Sequence, residues 1–554
     1  MPLFVAEQSN EKAVAPGVVA DLHDPFDVTK FVANFDDLTA APGGVDAFRR
    51  LVVDLAIRGR LTTQHRAEGT GVELVAELSG QRQLVSGQAR SVKRIESEGQ
   101  ADSAPFTIPE TWAWSTMGAI TVKLGAGSTP LGGKSVYKAS GIKFLRSQNV
   151  WNDGLRLSDV AHIGPETHAA MSGTHIAPGD ILLNITGASI GRTSVVPDTF
   201  DTGNVSQHVA IVRLVDKAIR RFVHLAMTAT YFQDAIMSVQ VGVSREGLSM
   251  KKLQYLPVPV PPLAEQERIV ARVDQLMALI DDLEAKQTKK RDLRTRFAKA
   301  SLEALSTAES PEAFATAWQR VVTNWSAVIE RADQVGGLRS ALLRLATTRG
   351  FDASSPTTWA ESAVGDCVDF LNGYAFKSEW FAPKGVRLLR NANVAHGTVD
   401  WSDLVYLPEA RIAEFARFAL AAGDIVLTLD RPIISTGIKV ARLTGRDIPS
   451  LLLQRVARLM PRDKRLHPEY LFLWLNSPTF IDAIDPGRSN GVPHISTREV
   501  AALRIRLPTP TEQLRIVAKV EQLMKLCDDL EANLRRAEDR AAKLVEAVVQ
   551  EMVA

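Results

Sequence analysis

A phrase of 21 residues that occurs twice is the strongest constraint on how this chain can fold. EQERIVARVDQLMALIDDLEA runs from Glu265 to Ala285, and EQLRIVAKVEQLMKLCDDLEA runs from Glu512 to Ala532, with 16 positions identical. A chain of 554 residues is too long for one core, and a prior of about 150 residues per domain predicts three or four units. The fold must therefore accommodate two copies of one helix, each preceded by a different stretch of chain.

The apolar residues of the phrase recur at alternate steps of four and three, which is typical of a helix wound against a partner helix. In the second copy the pattern continues through Ala537, Ala541 and Leu544 to Val548. Each copy follows a proline-bearing turn, a common start for a helix. One such stripe would indicate a helix packed on its own domain, whereas two copies favour an antiparallel coiled coil about 45–60 Å long. The predicted spacer seam consists of Ile269, Val273, Leu276, Ile280 and Leu283, and of Ile516, Val520, Leu523, Cys527, Leu530 and Leu534.

Weaker echoes precede each copy of the phrase in the same order. FLRSQNV (144–150) is matched by LLRNANV (388–394), IAPGDILLNITGASIG (176–191) by LAAGDIVLTLDRPIISTG (420–437), and VDAFRRLVVDLAIRGRL (45–61) by VGGLRSALLRLATTRGF (335–351). The glycine–aspartate turns that lead into apolar runs are typical of strands. These echoes predict an α+β chain with an internal pseudo-two-fold repeat. The predicted parts are an N-terminal segment with a short helical region at 1–105, a first α/β domain at 106–260, a central region with a long helix at 261–350, a second α/β domain at 351–507 and a C-terminal long helix at 508–554.

Composition narrows the class of protein. With 45% hydrophobic and 23% charged residues the chain has the composition of an ordinary soluble globular protein. Two cysteines, Cys367 and Cys527, are too few for a disulfide framework or a four-cysteine zinc site. The N-terminus does not match a signal peptide and no apolar run is long enough to span a membrane, so we expect a cytoplasmic protein. A net charge of +2 allows a nucleic-acid partner only through local basic patches.

Motifs for catalysis are missing from the sequence. GAGSTPLGGKS (125–135) resembles a phosphate-binding loop, but Ser128 stands where that motif requires glycine. The ten histidines are scattered singly, and neither a zinc-protease motif nor a nucleophile elbow occurs. The sequence therefore predicts no catalytic residue, no metal site and no cofactor bound by this chain.

The phrases LRSQNV, GDILLNITGASIGR and NVSQHVAIVR, together with the doubled proline–Glu–Gln helix start, resemble the specificity subunit of type I restriction–modification systems. The resemblance covers about residues 30–554 and leaves residues 1–29 without a counterpart. It implies two target-recognition domains that each read one half of a bipartite site in double-stranded DNA, separated by helices that set the spacer. It also implies a non-catalytic subunit that carries two adenine-methyltransferase (modification) subunits and assembles with motor–nuclease (restriction) subunits. S-adenosylmethionine, ATP and magnesium are expected only on those partners.

Candidate DNA-binding residues follow from chemistry and position. Arginine pairs with guanine, and asparagine or glutamine pairs with adenine, in the major groove. Side chains of these types, with neighbouring hydroxyl, lysine and histidine side chains, lie in the repeated phrases and at predicted strand ends. In the first domain they are Arg146, Gln148, Asn149, Thr186, Ser189, Arg192, Gln207, His208 and Arg245. In the second domain they are Lys377, Arg390, Asn391, Asn393, Arg431, Lys439, Gln454, Arg455 and His494. Because the phrases recur in both domains, we expect some of these side chains to hold the framework instead.

Three other functions compete with this interpretation. A sequence-specific DNA-binding regulator could dimerise through the heptads, and it would bind its site without a methyltransferase. A single-chain modification enzyme would need the catalytic motifs that are absent. A coiled-coil adaptor would explain the long helices but not two α/β domains with duplicated loops.

Overall fold

The computed structural model describes residues 39, 43–88, 104–238, 247–308, 310–351, 359–435, 437–484 and 494–553. The chain divides into two compact units. Unit 1 comprises Met1–Gln287 and Asp539–Ala554, and unit 2 comprises Thr288–Glu538. Each unit contains one of the predicted α/β domains, and each long helix contributes to both units.

Unit 1 is built from short helices and strands that precede the first long helix. Its helices are α1 (Gly44–Ile57), α2 (Gly71–Gln88), α3 (Pro165–Ala170), α4 (Arg220–Thr228), α5 (Thr230–Ser238), α6 (Met250–Gln254) and the start of α7 (Leu263–Ser306). Its strands are β1 (Ala113–Thr116), β2 (Thr121–Ala126), β3 (Ile142–Leu145), β4 (Val150–Trp151), β5 (Gly154–Leu155), β6 (Ala161–Ile163), β7 (His175–Ile176), β8 (Ile181–Asn184), β9 (Thr193–Val195), β10 (Gly203–Val205), β11 (Val209–Leu214) and β12 (Pro257–Val260).

Two four-stranded sheets form the centre of unit 1, in the orders β2-β11-β8-β9 and β6-β3-β10-β7. The first is antiparallel, whereas β3 and β10 pair in parallel in the second. Ile181 and Leu183 of β8 face one core with α4 and α5, and Leu182 faces a second core with residues of the other sheet. Successive strand residues point to opposite faces. The uninterrupted apolar run of β8 is therefore explained by burial on both sides.

Unit 2 repeats this plan after a helical insert. Its helices are α8 (Pro311–Thr323), α9 (Trp325–Val328), α10 (Val335–Thr348), α11 (Val364–Cys367), α12 (Pro468–Leu475), α13 (Pro478–Ile484), α14 (Thr497–Ala502) and most of α15 (Pro510–Val553). Its strands are β13 (Ala360–Ala363), β14 (Val368–Asn372), β15 (Val386–Leu389), β16 (Tyr406–Leu407), β17 (Ile425–Thr428), β18 (Ile433–Ile434), β19 (Gly437–Ile438), β20 (Val440–Arg442), β21 (Ser450–Leu452), β22 (Val456–Pro461) and β23 (Arg504–Leu507).

The two larger sheets of unit 2 match those of unit 1, except that the described residues of unit 2 form no counterpart of the edge strand β7. The order β14-β22-β17-β20 corresponds to β2-β11-β8-β9, and β16-β15-β21 corresponds to β6-β3-β10, including the parallel pair. The antiparallel pair β13–β23 joins the ends of its domain as β1–β12 does in unit 1. The predicted α+β architecture with an internal repeat is confirmed.

The long helices α7 and α15 contain 44 residues each, which corresponds to about 66 Å and exceeds the predicted length. In unit 1, Ile280 of α7 shares a core with Val549 and Met552 near the end of α15. In unit 2, Leu302 near the end of α7 shares a core with Cys527 of α15. The first half of one helix thus meets the last turns of the other in each unit, which is the antiparallel arrangement that the sequence predicts.

One arginine of each short helix holds two carboxylates of the repeated phrase. The guanidinium of Arg49 in α1 donates to Asp281 at 2.8 Å and to Glu284 at 2.7 Å. Arg339 of α10 makes the corresponding contacts, both at 2.6 Å, with Asp528 and Glu531. We call these two equivalent sets of contacts the arginine clamps. They join each short helix to the long helix beside it.

The heptad seam continues less far along α15 than the sequence predicts. Leu544 is 45% exposed and Ala537 is also exposed, whereas Val545 is only 6% exposed and shares a cluster with Ala47 of α1. The packed positions in these last turns are Ala541, Ala542, Val545, Val549 and Met552, and the last four of them step by three, four and three. The spacing of a heptad is therefore kept in these turns, but the buried position has moved by one residue, from the predicted Leu544 to Val545. In these turns α15 packs on the short helix α1 as well as on α7.

The other predicted seam residues are buried to different degrees. Ile269, Val273, Leu276 and Ile280 are at most 6% exposed, and Leu283 is partly buried beside them. In the second copy Ile516, Val520 and Cys527 are buried, and the partly buried residues are Leu523, Leu530 and Leu534.

Candidate nucleic-acid interface

Backbone hydrogen bonds place the loops at the ends of the sheets at equivalent positions in the two domains. The N–H of Ile185 donates to the carbonyl of His208 at 3.0 Å, and the N–H of Leu429 donates to the carbonyl of Arg455 at 2.9 Å. This register pairs His208 with Arg455, and hence Gln207 with Gln454. These four side chains are exposed in the turns before β11 and β22.

Side chains in the first of these turns already bind one another. His208 Nδ1 and Thr186 Oγ1 lie 2.6 Å apart, and Gln207 Oε1 accepts the hydroxyl proton of Thr129 at 2.9 Å. Gln207 and His208 remain exposed despite these contacts. The pair therefore presents hydrogen-bonding groups in a fixed position, as a surface that reads base edges requires.

Two of the predicted base-reading asparagines instead stabilise a turn. The Asn149 side chain is 1% exposed, accepts the Arg146 N–H at 2.9 Å and donates to the Arg156 carbonyl at 2.8 Å. Asn393 is equally buried, accepts the Arg390 N–H at 3.1 Å and donates to the Asp400 carbonyl at 3.0 Å. Both amides are occupied by backbone groups, so neither is free to bind a base in this structure.

The arginines of the same turns also serve the framework. Arg146 donates to the carbonyl of Asp159 at 3.2 Å, and Arg390 donates to the carbonyl of Asp403 at 3.0 Å. Gln148 is exposed, and its amide donates to the Asp159 carboxylate at 2.6 Å. In this first-domain turn Gln148 is therefore the predicted residue that remains accessible.

A stack of three side chains lies beside this turn in the first domain. The guanidinium carbons of Arg156 and Arg192 each lie 3.8 Å from the centre of the Trp151 ring. Both guanidinium groups therefore lie in stacking contact with the indole. Ser189, just before Arg192, accepts a hydrogen bond from the buried Asn184 amide at 3.2 Å.

The second domain holds its candidates differently. Lys439 Nζ donates to the carbonyl and the side-chain oxygen of Asn391, both at 3.1 Å. His494 Nδ1 lies 2.8 Å from the Asp430 carboxylate. Arg431 is exposed and adopts a positive φ of 50°, which is uncommon for a residue other than glycine.

Two candidates remain apart from these groups. Lys377 is exposed, with Nζ 3.7 Å from the Glu379 carboxylate and 5.6 Å from the centre of the Trp380 ring. Arg245 lies outside the described residues.

Two other kinds of site, a metal centre and a membrane-spanning helix, have no candidate within the described ranges. No group of three or more histidine, cysteine, aspartate or glutamate side chains there is placed to hold a metal ion. None of the helices in that part of the chain has both the length and the apolar character needed to cross a membrane.

Comparison with known proteins identifies the family. A family model described as the type I restriction modification DNA specificity domain matches residues 123–291 and 356–537. The EcoAI type I restriction enzyme specificity subunit of Escherichia coli is 30% identical over 558 residues, covering 91% of this chain and 93% of that protein. The chain belongs to the type I restriction–modification specificity subunits.

Other relatives share less of the sequence. The MjaVIII specificity subunit of Methanocaldococcus jannaschii is 30% identical over 174 residues, covering 31% of this chain and 41% of that protein. The crystal structure of the HsdS subunit from Thermoanaerobacter tengcongensis aligns with 81% of this chain and 98% of its own, at 18% identity and a TM-score of 0.43.

Several residues of this specificity subunit that lie beside the candidates were not found from the sequence. Trp151 and Arg156 complete the stack with Arg192, and Asp430 faces His494. Trp151 directly follows the repeated LRSQNV phrase, at a position where the second domain has Ala395. An aromatic residue confined to one of two matched phrases was the available signal.

Proposed function

We propose that each α/β domain of this specificity subunit binds one half of a bipartite site in double-stranded DNA. The observation that carries the proposal is a shared framework with different exposed side chains. By register His208 is equivalent to Arg455 and Thr186 is equivalent to Asp430, while Asn149 and Asn393 make the same hydrogen bonds in equivalent turns. Two such surfaces in one chain suit a site with two unlike halves.

The long helices would set the distance between the two halves. Each is 44 residues long and takes part in both units. A helix rises about 1.5 Å per residue, so the length of the pair limits how many base pairs can separate the half-sites.

The remaining functions belong to partner proteins in this proposal. Two adenine-methyltransferase subunits would dock on the helices and their flanks, and motor–nuclease subunits would complete a cytoplasmic restriction complex. S-adenosylmethionine, ATP and magnesium would bind those partners. This chain would contribute recognition without catalysis.

The structure weakens the case for a dimeric regulator. Ile516 and Val520 are buried in a core with α10, α12 and β23, and Ile269 is buried against α1. These parts of the heptad seams are covered by the chain's own elements. A second chain could not use them without opening the core.

A genome-wide map of N6-methyladenine in the source cell, with the gene intact and with it deleted, tests the proposal. Deletion is expected to abolish methylation at one interrupted, two-part motif. A cell with an active methyltransferase partner whose methylation pattern survives the deletion would contradict it. Restoring the gene on a plasmid is the control, because it should restore the same motif.

A further inference from the structure

Both domains place a basic residue at the same position in the sheet. The carbonyl of Arg192 accepts the N–H of Asn184 at 2.8 Å, and the carbonyl of Lys439 accepts the N–H of Thr428 at 3.1 Å. Arg192 directly precedes β9, and Lys439 directly precedes β20, the matching edge strand. The backbone therefore makes Arg192 and Lys439 equivalent, although the surrounding sequences differ.

The two cations are held in place by different means. The Arg192 guanidinium lies over the Trp151 ring, with its central carbon 3.8 Å from the ring centre, and Arg156 lies at the same distance. The indole N–H of Trp151 donates to the Gln148 carbonyl at 2.8 Å, which fixes the ring. Lys439 is tied instead to Asn391, the counterpart of Ser147 in the repeated turn. Each domain therefore restrains its cation with a side chain that the other domain lacks.

Neither cation is neutralised by a carboxylate among the described residues. Arg192 is partly exposed and its guanidinium has no hydrogen-bond acceptor in that part of the chain. Lys439 uses two of its three protons on neutral oxygens of Asn391. By contrast, Arg156 lies 3.3 Å from the carboxylate of Asp153. Positive charge is thus kept available at the same place in both domains.

We propose that Arg192 and Lys439 bind DNA phosphates, one in each half-site, and that Trp151 positions Arg192 for this contact. The inference rests on the proposed function and adds that phosphate binding and base reading are carried out by different residues. Phosphate contacts set register without reading sequence. The two domains would read different bases, but both half-sites have the same sugar–phosphate backbone. A contact that both domains share therefore suits a phosphate better than a base.

The stacking of Arg192 on Trp151 suits a contact with a DNA phosphate. A guanidinium stacked on an indole keeps its N–H edge free, and it loses less side-chain freedom when it binds an oxyanion in bidentate fashion. Lysine acts as a point charge at the equivalent place. The variation between the two domains is therefore compatible with one ligand chemistry.

Salt-dependent binding of full-length protein to DNA tests the proposal. The probe is a duplex that carries the bipartite motif found by methylation mapping, beside a duplex with both halves scrambled. Arg192→Ala and Lys439→Ala are each expected to weaken binding about tenfold on both duplexes. Each is expected to lower the slope of log Kd against log salt by about one, because one phosphate contact is lost. The methylated motif in cells should stay unchanged.

Three further variants separate phosphate binding from structural support. Arg192→Lys keeps the charge and is expected to retain the wild-type slope. Trp151→Ala is expected to weaken binding about threefold with the slope retained, since it loosens Arg192 without removing the charge. Arg387→Ala is the matched control, because Arg387 also lies over a tryptophan, Trp401, but donates to the Arg446 carbonyl at 2.8 Å. It should leave both affinity and slope unchanged.

The outcomes that overturn the proposal are distinct. A wild-type slope in Arg192→Ala or Lys439→Ala would show that no phosphate contact had been lost, whatever happened to affinity or melting temperature. Altered preference at one base pair of the motif would make the residue a base reader. If wild-type protein does not prefer the bipartite duplex over the scrambled one, the proposed function fails instead.

Discussion

The arginine clamps account for two identical positions in the DDLEA end of the repeated phrase, its first aspartate and its glutamate. Each clamp needs an aspartate and a glutamate three residues apart on one face of the long helix. Arg49 and Arg339 occupy the same place in their short helices, so both copies must keep the same acidic pair. Identity at these positions therefore reflects a shared contact.

Replacing Arg49 by alanine is expected to lower the free energy of unfolding of the protein by about 1 kcal/mol. Arg49 is 32% exposed and binds two carboxylates, which favours a contribution near the top of the range for surface ion pairs. Urea unfolding followed by circular dichroism measures the change. Arg339→Ala should shift stability in the same direction.

Arg66→Ala is the control for the clamp. Arg66 and Glu110 form a single ion pair at 3.0 Å with side chains 85% and 88% exposed, so little change in stability is expected. If Arg66→Ala destabilised the protein as much as Arg49→Ala, the clamps would have no special role.

For single residues, the sequence indicated which hydrogen bonds a side chain can make, but not which group it binds in the folded protein. Asparagine in LRSQNV and LLRNANV was a reasonable adenine reader by type. The structure instead uses Asn149 and Asn393 to bind their own turns. Residue type cannot distinguish these uses, because the deciding factor is which backbone groups the fold brings within reach. Exposed Gln207 and Gln454 remain predictions.

The long helices lose regular burial in the middle. Residues 288–293 of α7 are all exposed, and in residues 535–540 of α15 only Glu538 is not. These segments lie at the boundary between the two units. Their side chains therefore contribute little to the core of either unit.

Lengthening both helices at these segments by two 11-residue repeats is expected to widen the DNA spacer by about one helical turn. The added length is about 33 Å, close to the 34 Å of one DNA turn, and 22 residues complete about 6.1 helical turns, so the facing side of each helix rotates by only about 40°. Methylation mapping should show the same two half-sites about 10 base pairs further apart.

The control is the same insertion in α7 alone, which should abolish methylation because the paired helices no longer match in length. An unchanged spacer in the doubly extended protein would show that the helices do not set it.

Among the elements, helix existence and direction followed from the period of the apolar residues, but the end of the seam did not. Leu544 fits the heptad, yet Val545 is buried. The period of the apolar residues identifies the buried face of a helix only where the same element packs against it throughout. The last turns of α15 pack on α1 in addition to α7, and α1 belongs to a distant part of the sequence.

Over the whole molecule, exchanging residues 106–260 for those of another family member is expected to change one half of the methylated motif and preserve the other. The pair β1–β12 brings the ends of this segment together, so the exchange keeps the connections to the helices. The methylated motif in cells provides the measurement.

Exchange of residues 351–507, whose ends are joined by β13–β23, is the matched variant and should change the opposite half. Alteration of both halves by either exchange would contradict independent reading. The repeat made this organisation predictable, whereas the bases read were not, because they depend on side-chain positions in the variable loops.

The division of α15 between the two units affects how the protein is made. Val545 and Met552 complete the core of unit 1, and the Met552 carbonyl accepts a hydrogen bond from Arg60 at 3.0 Å. During translation, everything needed for unit 2 leaves the ribosome before these residues do. Unit 1, which contains the start of the nascent chain, is therefore the last to complete its core. A premature stop codon near residue 538 would leave the later-made unit whole and the earlier-made one unfinished.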